Sequence, residues 1–323
     1  MSSTRTVLKT MFAASLVAAV GACQRDAPTA PDAPDALTPS FARGGAAEPM
    51  DASPTDTALH ELMVTINAGL AAEGKNYEVS VAEWLAGPAA NEVGRTVFFE
   101  DRGNKQLANH FVPGDPRRGG NVEITYIIDQ TEGAIDGLTV AETSAAIDRA
   151  MGTWDARRCS EIPITKAADI PGVDIGVIEF LNGLGGSPII FADVAHAGWL
   201  PAGILPNNVI GVTFTFVFID AAGEPTDIDN NGKADVAFRE ILYNDVFAWA
   251  IDGNIDVETV ALHEAGHGLS QAHFGAAFST DANGKLHFAP RAVMNAAYSG
   301  VQQDLAGTDN GGHCSIWGSW PNN

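Results

Sequence analysis

Residues 256–273 of the chain read DVETVALHEAGHGLSQAH. The apolar residues ahead of the first histidine indicate a buried helix, and Asp256 or Asn254 can cap its start. Residues four apart on a helix project from the same face, so His263 and His267 present their imidazoles to one point. Because neutral imidazole binds zinc well, the segment predicts a helix that carries two zinc ligands.

A third protein ligand is expected downstream of this helix. The chain contains no glutamate after Glu264, which excludes a downstream glutamate as that ligand. Asp281, Asp304 and Asp309 remain as alternatives, whereas His273, six residues after the second histidine, fits better. Three protein ligands leave one position for water, as in catalytic zinc sites. Glu264 is placed to accept a proton from that water.

The stretch from His263 to His273, followed by Met294, resembles the metzincin zinc metalloproteases, whose motif is HExxHxxGxxH with a later methionine turn. Three further stretches resemble the matrixin branch of that clan: residues 256–264, 195–201 and 304–307. The resemblance extends over roughly residues 120–323. It implies an α+β catalytic domain in which a twisted mixed sheet lies over an active-site helix and a Met-turn.

The same resemblance implies a secreted zinc-dependent endopeptidase that hydrolyses peptide bonds of a protein or peptide substrate. Its zinc ligands would be His263, His267 and His273, with Met294 in the turn beneath them. Glu264 would be the catalytic residue that activates the zinc-bound water. A non-catalytic surface-binding protein on a degenerate metzincin fold is the alternative, and a metal-dependent hydrolase of non-peptide substrates is a third hypothesis.

The chain departs from the family pattern at several positions. Ser270 stands where the family has a glycine that lets the chain enter the left-handed conformation before the third histidine. A serine in that conformation costs on the order of 1 kcal/mol. Tyr298 lies four residues past Met294, whereas related branches carry a tyrosine two residues past it, so we assign it no catalytic role. Of the histidines that hold a structural zinc in matrixins, only His196 has a counterpart here, which disfavours a second zinc.

Residues 227–235 read DIDNNGKAD, and oxygen-bearing side chains recur in this stretch at Asp227, Asp229, Asn231 and Asp235. Oxygen ligands at the first, third and fifth positions, with a glycine at the sixth, can wrap Ca²⁺. Phe238 stands where an EF-hand has its glutamate, so the stretch resembles the shorter calcium loops of β-propeller and integrin-type blades. Because aspartate, asparagine and glycine also favour turns, a solvated acidic turn is the alternative.

The first 22 residues have the pattern of a secretory signal, with basic Arg5 and Lys9, an apolar run, and small residues before Cys23. The apolar run is about half the length that a membrane-spanning helix needs. Residues 20–23 read VGAC, which resembles a bacterial lipobox, in which the cysteine is lipidated. An ordinary signal peptide with an incidental cysteine is the alternative. We expect an extracytoplasmic protein, secreted or anchored to the bacterial membrane through that lipid alone.

Composition divides the rest of the chain into three parts. Residues 23–57 are rich in proline, alanine and aspartate, which predicts an extended tether. Residues 58–118 predict a pro-segment or a small added domain, and residues 119–323 the catalytic domain. Strands are predicted at 77–81, 96–99, 122–128, 173–180 and 209–219, and helices at 59–70, 147–154 and 255–270.

Charge and cysteine content limit the partners and the compartment. The 323 residues include 18 Lys and Arg against 40 Asp and Glu, a net charge of −22. Because nucleic acids are polyanions, this charge argues against a nucleic-acid partner. If Cys23 holds lipid, Cys159 and Cys314 are left to pair in an oxidising compartment. We expect a disulfide between these two residues and a monomeric protein.

Overall fold

A computed structural model describes residues 52–88, 92–101, 109–279, 282 and 285–322. The predicted signal segment, Cys23, the tether up to residue 51 and Asp281 lie outside these residues. The described residues all belong to one compact unit. Within the described ranges, no helix is both long enough and apolar enough to cross a membrane.

Helices and strands alternate along the described part of the chain. The helices found there are α1 Pro54–Ala72, α2 Val140–Asp155, α3 Val177–Asn182, α4 Val257–Gly268 and α5 Gly307–Trp317. The strands found there are β1 Tyr77–Ala86, β2 Thr96–Phe98, β3 Asn109–His110, β4 Ile124–Ile128, β5 Ile164–Lys166, β6 Val194–Leu200, β7 Val209–Phe218, β8 Ala234–Asn244, β9 Trp249–Ala250, β10 Ile255–Asp256, β11 Ala276–Ser279 and β12 Leu286–Ala289. The predicted α+β class is confirmed.

Eight of these strands form one twisted mixed sheet, in the order β2-β1-β7-β8-β6-β4-β5 with β3 beside β8. Strands β5, β4, β6 and β8 run parallel to one another. Strand β7 is antiparallel to β8, and β1 is antiparallel to β7. The residues of β6 and β7 are buried throughout, as expected for strands covered on both faces. The predicted mixed sheet is therefore present.

Two hydrophobic cores hold the helices against the sheet. Helices α2 and α4 contribute to one core, and α1 and α3 contribute to the other. Strand β1 contributes to both cores, with Trp84 in the second and its neighbour Leu85 in the first, since adjacent side chains on a strand point to opposite faces. The indole Nε1 of Trp154 donates to the backbone oxygen of Leu262 at 2.9 Å, which ties α2 to α4.

The described residues of 58–118 belong to the same compact unit as the rest of the described chain. Strand β1 lies inside the main sheet, between β2 and β7. Arg117 forms ion pairs with Asp115 and with Asp235 of β8, at 2.6 and 2.7 Å. The apolar pattern of β1 predicts a strand, but a pattern does not name the strand with which it pairs.

Helix α1 begins ahead of the expected start of the folded region at residue 58. Its first residue is Pro54, and Ser53 and Asp56 form a reciprocal capping box at its start. Proline suits the first position of a helix, and a capping box satisfies backbone N–H groups that the helix itself leaves without acceptors. The local sequence at Ser53 therefore sets the beginning of the folded chain.

The strand predicted at residues 173–180 is wrong, because α3 occupies its second half. The carboxylate of Glu240 in β8 accepts the backbone N–H groups of Val177 and Ile178, both at 2.9 Å. This contact satisfies the first turn of the helix from a distant strand. At the other end, Gly183 adopts a left-handed conformation with φ of 69°. The apolar pattern of residues 173–180 indicates neither the contact with Glu240 nor the turn at Gly183.

The predicted disulfide between Cys159 and Cys314 is present, with Cα atoms 5.4 Å apart. It links the segment after α2 to α5. The indole Nε1 of Trp317 in α5 also donates to the backbone oxygen of Leu269, at 2.8 Å. Together these contacts hold α5 beside the end of α4.

Candidate metal centre

Helix α4 carries the two histidines that the sequence predicts as metal ligands. Asp256 caps its start, since its Oδ2 accepts the backbone N–H of Thr259 at 2.9 Å. Every residue from Val257 to Gly268 is buried. Because a densely packed helix does not rotate freely, the directions of His263 and His267 are set by the surrounding core.

Ser270 has a left-handed backbone with φ of 65°, as the family's glycine position predicts. The N–H of Ser270 donates to the oxygen of His267, and the N–H of Gln271 donates to the oxygen of Gly266, both at 2.9 Å. These bonds close a tight turn after the helix. The turn reverses the chain and brings His273 back toward the helical histidines.

The Nε2 atoms of the three predicted ligands converge. They are separated by 3.1 Å between His263 and His267, 3.2 Å between His267 and His273, and 3.3 Å between His263 and His273. Ligands about 2.1 Å from a tetrahedral zinc ion stand about 3.4 Å apart. The spacing of the three nitrogens is therefore close to one face of such a tetrahedron.

The other ring nitrogen of each helical histidine faces a backbone carbonyl. The Nδ1 of His263 lies 2.7 Å from the oxygen of Val293, and the Nδ1 of His267 lies 2.7 Å from the oxygen of Gln271. A carbonyl oxygen only accepts, so each Nδ1 carries the proton and donates it. In a neutral ring, Nε2 then presents a lone pair. Lone pairs this close repel one another unless a cation lies between them, so the donor set fits a metal ion.

Burial also favours neutral rings at this centre. It lowers the pKa of His263 well below its usual value, and proximity to His267 lowers it further. Burial has the same effect on His273. In His267, burial is the largest influence and lowers the pKa, but the Glu83 carboxylate, 3.4 Å from Nδ1, the Glu264 carboxylate and the hydrogen bond to Gln271 together raise the pKa above its usual value. A carboxylate behind a ligating imidazole strengthens the ring as an electron donor.

Met294 packs directly against the helical motif at Gly266. A Cβ atom at Gly266 would overlap the Sδ atom of Met294, so glycine is required for this close approach. Asp309 holds the turn, because its carboxylate accepts the N–H groups of Val293 and Met294, at 2.9 and 3.1 Å. Asp309 therefore holds the turn in place and is not the third metal ligand, a role that the sequence had left open to it.

Glu264 is fully buried and faces β7. Its Oε2 accepts the hydroxyl of Thr213 at 2.7 Å, and its Oε1 has no hydrogen-bond partner among the described residues. A Cβ atom at Gly211 would lie 2.8 Å from Oε1, so Gly211 leaves the space that the carboxylate fills. Burial raises the pKa of this carboxyl to about 7. A carboxylate with such a pKa suits proton transfer near neutral pH.

Gly211 and Thr213 are not among the site residues predicted from the sequence. Both lie inside a strand that reads as a continuous apolar run, residues 209–219. A glycine within an apolar strand indicates that another group approaches the backbone closely, so Gly211 could have been singled out from the sequence. Nothing in the local sequence identifies Glu264 as the group that approaches.

The remaining candidate residues lie apart from the histidines. The hydroxyl of Tyr298 accepts the N–H of Asp256 at 3.0 Å, so it supports the start of α4. The Nδ1 of His196 lies 2.8 Å from the hydroxyl of Tyr243. Among the described residues, no set of three ligating side chains includes His196. Asp304, another alternative ligand, is exposed.

Three of the four predicted calcium ligands come together, with carboxylate oxygens within 4.8 Å of one another, namely Asp227, Asp229 and Asp235. Burial and the two neighbouring carboxylates raise the pKa of Asp229. Asn231 lies beside these carboxylates: its Nδ2 donates to Asp229 at 3.0 Å, and its Oδ1 accepts the N–H of Lys233 at 2.8 Å. The loop thus gathers three carboxylates with the Asn231 side chain next to them.

Replacing Ser270 with glycine is expected to raise the free energy of unfolding by about 0.5–1 kcal/mol. Serine is strained at φ of 65°, so the glycine variant relieves that strain. This relief outweighs the greater conformational freedom that glycine has in the unfolded chain. Thermal unfolding of the metal-loaded protein measures the change. Ser315→Gly on the exposed side of α5 is the control, since glycine inside a helix lowers stability. An unchanged midpoint for Ser270→Gly would show that the turn is unstrained.

Comparisons with known proteins add no family to these observations. No protein-family model matches the chain. No curated protein matches it either.

Proposed function

We propose that the protein is a zinc-dependent endopeptidase of the metzincin type, exported and anchored to the bacterial membrane through a lipid on Cys23. One observation carries the proposed activity: three imidazole Nε2 atoms converge beside a buried carboxylate from the same helix. Three nitrogen ligands leave a coordination position open for reacting groups. The anchor and the location rest on the signal pattern of the first 23 residues.

The histidines His263, His267 and His273 would hold the ion through Nε2. The carbonyls that accept from Nδ1 of His263 and His267 keep these two rings in one orientation. Zinc bound there supplies a Lewis acid that polarises a carbonyl group and makes water more acidic. Met294 and Gly266 keep the floor of the centre closely packed, so the ligand geometry is rigid.

Glu264 is the proton acceptor in this proposal. The hydroxyl of Thr213 donates to Oε2 and leaves Oε1 without a donor, so Oε1 is the atom that takes up the proton. A carboxyl with a pKa of about 7 accepts a proton from the attacking water and returns it to the departing amine near neutral pH. The two transfers together hydrolyse one peptide bond.

A non-catalytic binding protein explains this centre less well. Keeping the Glu264 carboxylate fully buried, with one oxygen lacking a donor among the described residues, is energetically costly. Binding to another surface would give no reason to retain such a group. The peptidase proposal accounts for it, because an unpaired oxygen is free to take part in proton transfer.

Metal analysis and hydrolysis of unfolded casein test the proposal. The purified protein is expected to contain zinc, to lose casein hydrolysis on chelation, and to regain it when zinc is returned. The proposal fails if zinc-loaded protein cleaves neither casein nor any peptide of a broad panel.

We also propose that the loop of Asp227, Asp229 and Asp235 binds Ca²⁺. After chelation, zinc alone is expected to restore less thermal stability than zinc with calcium, because calcium neutralises the Asp227 and Asp229 carboxylates, which adjoin Asp235 and its ion pair with Arg117. Asp227→Asn should remove the calcium-dependent increment, whereas Asp220→Asn in the neighbouring exposed turn should leave it intact. Full recovery with zinc alone would contradict calcium binding.

A further inference from the structure

Strand β1 places Glu83 on the side of the sheet that carries the metal centre. Glu83 pairs with Thr213 of β7, and residues directly opposite each other on neighbouring strands project from the same face. Thr213 faces helix α4, since its hydroxyl donates to the Oε2 of Glu264 at 2.7 Å. Glu83 therefore faces the same helix, on which His267 lies almost one turn beyond Glu264.

The carboxylate of Glu83 lies behind the ring of His267. Its Oε1 atom is 3.4 Å from the Nδ1 of His267. That nitrogen donates its proton to the oxygen of Gln271 at 2.7 Å, whereas the Nε2 of the same ring converges with those of His263 and His273. The negative charge of Glu83 thus stands beside the ring nitrogen that does not face the metal position.

The main chain of His267 is held from the same sheet. Arg239 of β8 is buried, and its Nη1 donates to the oxygens of His267 and Gly268 at 2.8 and 2.9 Å. Both carbonyls lie in the last turn of α4, where the helix itself supplies no donors and a cation is favourable. One strand therefore holds the backbone of the second ligand, while a carboxylate from another strand stands behind its ring.

The burial of Glu83 is costly unless a positive charge lies nearby. The residue is only 8% exposed. Two of its polar contacts are long, 3.4 Å to His267 and 3.5 Å from the hydroxyl of Thr96. A carboxylate removed from water needs a cation or strong hydrogen bonds to offset its lost hydration. A divalent ion held by three neutral imidazoles supplies the positive charge that offsets both Glu83 and Glu264.

We propose that Glu83 is a positioning residue of the metal centre, so that β1 is a permanent part of the enzyme and not a removable pro-segment. This inference rests on the proposed zinc-dependent function. A carboxylate behind a ligating imidazole fixes the orientation of the ring and makes the ring a stronger electron donor. Loss of β1 would also uncover β7, in which every residue is buried. Strand β1 thus completes both the sheet and the surroundings of His267.

The zinc affinity of the full chain tests this role, measured by competition with a chromophoric chelator. Glu83→Gln keeps the size of the side chain and removes its charge, so zinc binding is expected to weaken about 10–100-fold. At saturating zinc, kcat for casein should fall while KM stays within about twofold, because the ring and not the substrate loses a contact. The stability of the metal-free protein should not fall, since a neutral amide costs less to bury than a carboxylate.

Glu78→Gln is the matched control, because it makes the same chemical change on the same strand. Residue 78 is five residues from Glu83, a distance of about 16 Å along a strand. This variant should keep the zinc affinity and the kcat of the parent. The visible absorption spectrum of the cobalt-loaded protein should likewise change in Glu83→Gln and not in Glu78→Gln.

A Glu83→Gln protein with the zinc affinity of the parent would overturn the inference and leave the peptidase proposal intact. An equal loss of affinity in Glu78→Gln would overturn it as well. If Glu83→Gln does not fold, Glu83→Asp decides: it withdraws the charge by one methylene group and should bind zinc more weakly than the parent, and parental affinity would count against the role. If the zinc-loaded parent cleaves no substrate, the peptidase proposal fails separately, and zinc affinity still decides the role of Glu83.

The retention of β1 has its own test. Mass spectrometry of the mature, zinc-containing protein from its native host should find a chain that begins ahead of Tyr77. A mature zinc-containing form that begins after Ala86 would show that the centre is complete without Glu83.

Discussion

Glu264→Gln is expected to lower kcat for casein hydrolysis by about 10²–10⁴-fold, the range that a general base contributes. The amide is nearly the same size as the carboxylate, and its oxygen can still accept the Thr213 hydroxyl. It cannot take up a proton at the position of Oε1. Because the three converging nitrogens belong to His263, His267 and His273, the zinc content should not change.

Zinc analysis separates loss of the base from loss of the metal. His263→Ala is the comparison variant, since it removes one of the converging Nε2 atoms and should lose zinc as well as activity. Glu264→Gln should keep its zinc and lose activity alone. A Glu264→Gln protein that hydrolyses casein at the parent rate would exclude Glu264 as the base.

Gly211→Ala is expected to lower kcat/KM by about 10²-fold while zinc binding is retained. The added methyl group would lie 2.8 Å from Oε1 of Glu264, so the carboxylate must move away from Thr213. Displacement of a catalytic group by about 1 Å costs about 10²-fold in rate. The measurement is steady-state casein hydrolysis alongside metal analysis.

Gly152→Ala is the matched control, because a Cβ atom there meets nothing within 4 Å. It should leave the rate unchanged. Both glycine variants are measured under the same conditions as the parent protein. Equal rates for Gly211→Ala and Gly152→Ala would mean that the placement of the Glu264 carboxylate is not critical.

Much of the candidate centre could be predicted because its parts are close in sequence. Four-residue spacing places His263 and His267 on one helix face, and a position that needs a left-handed backbone places the turn at Ser270. Local geometry of this kind depends on hydrogen bonds within a few residues. The return of His273 to the helix follows from that turn.

Other parts of the fold could not be predicted because their causes are distant in sequence. Residues 173–180 read as a strand, yet half of them form α3, since Glu240 of β8 binds the first N–H groups of the helix. Residues 58–118 read as a separate segment, yet β1 lies within the main sheet. An alternating or apolar pattern specifies a strand but leaves its partner open.

The sequence by itself determined the helix, the three converging histidines, the pairing of Cys159 with Cys314 and the α+β class. Only the tertiary structure decided what surrounds the Glu264 carboxylate: Gly211 leaves room for it, Thr213 donates to it, and β1 pairs with the strand that carries both. The physical reason is the range of the interactions. Helical spacing and turn conformation act over a few residues, whereas strand pairing and side-chain burial join segments more than a hundred residues apart.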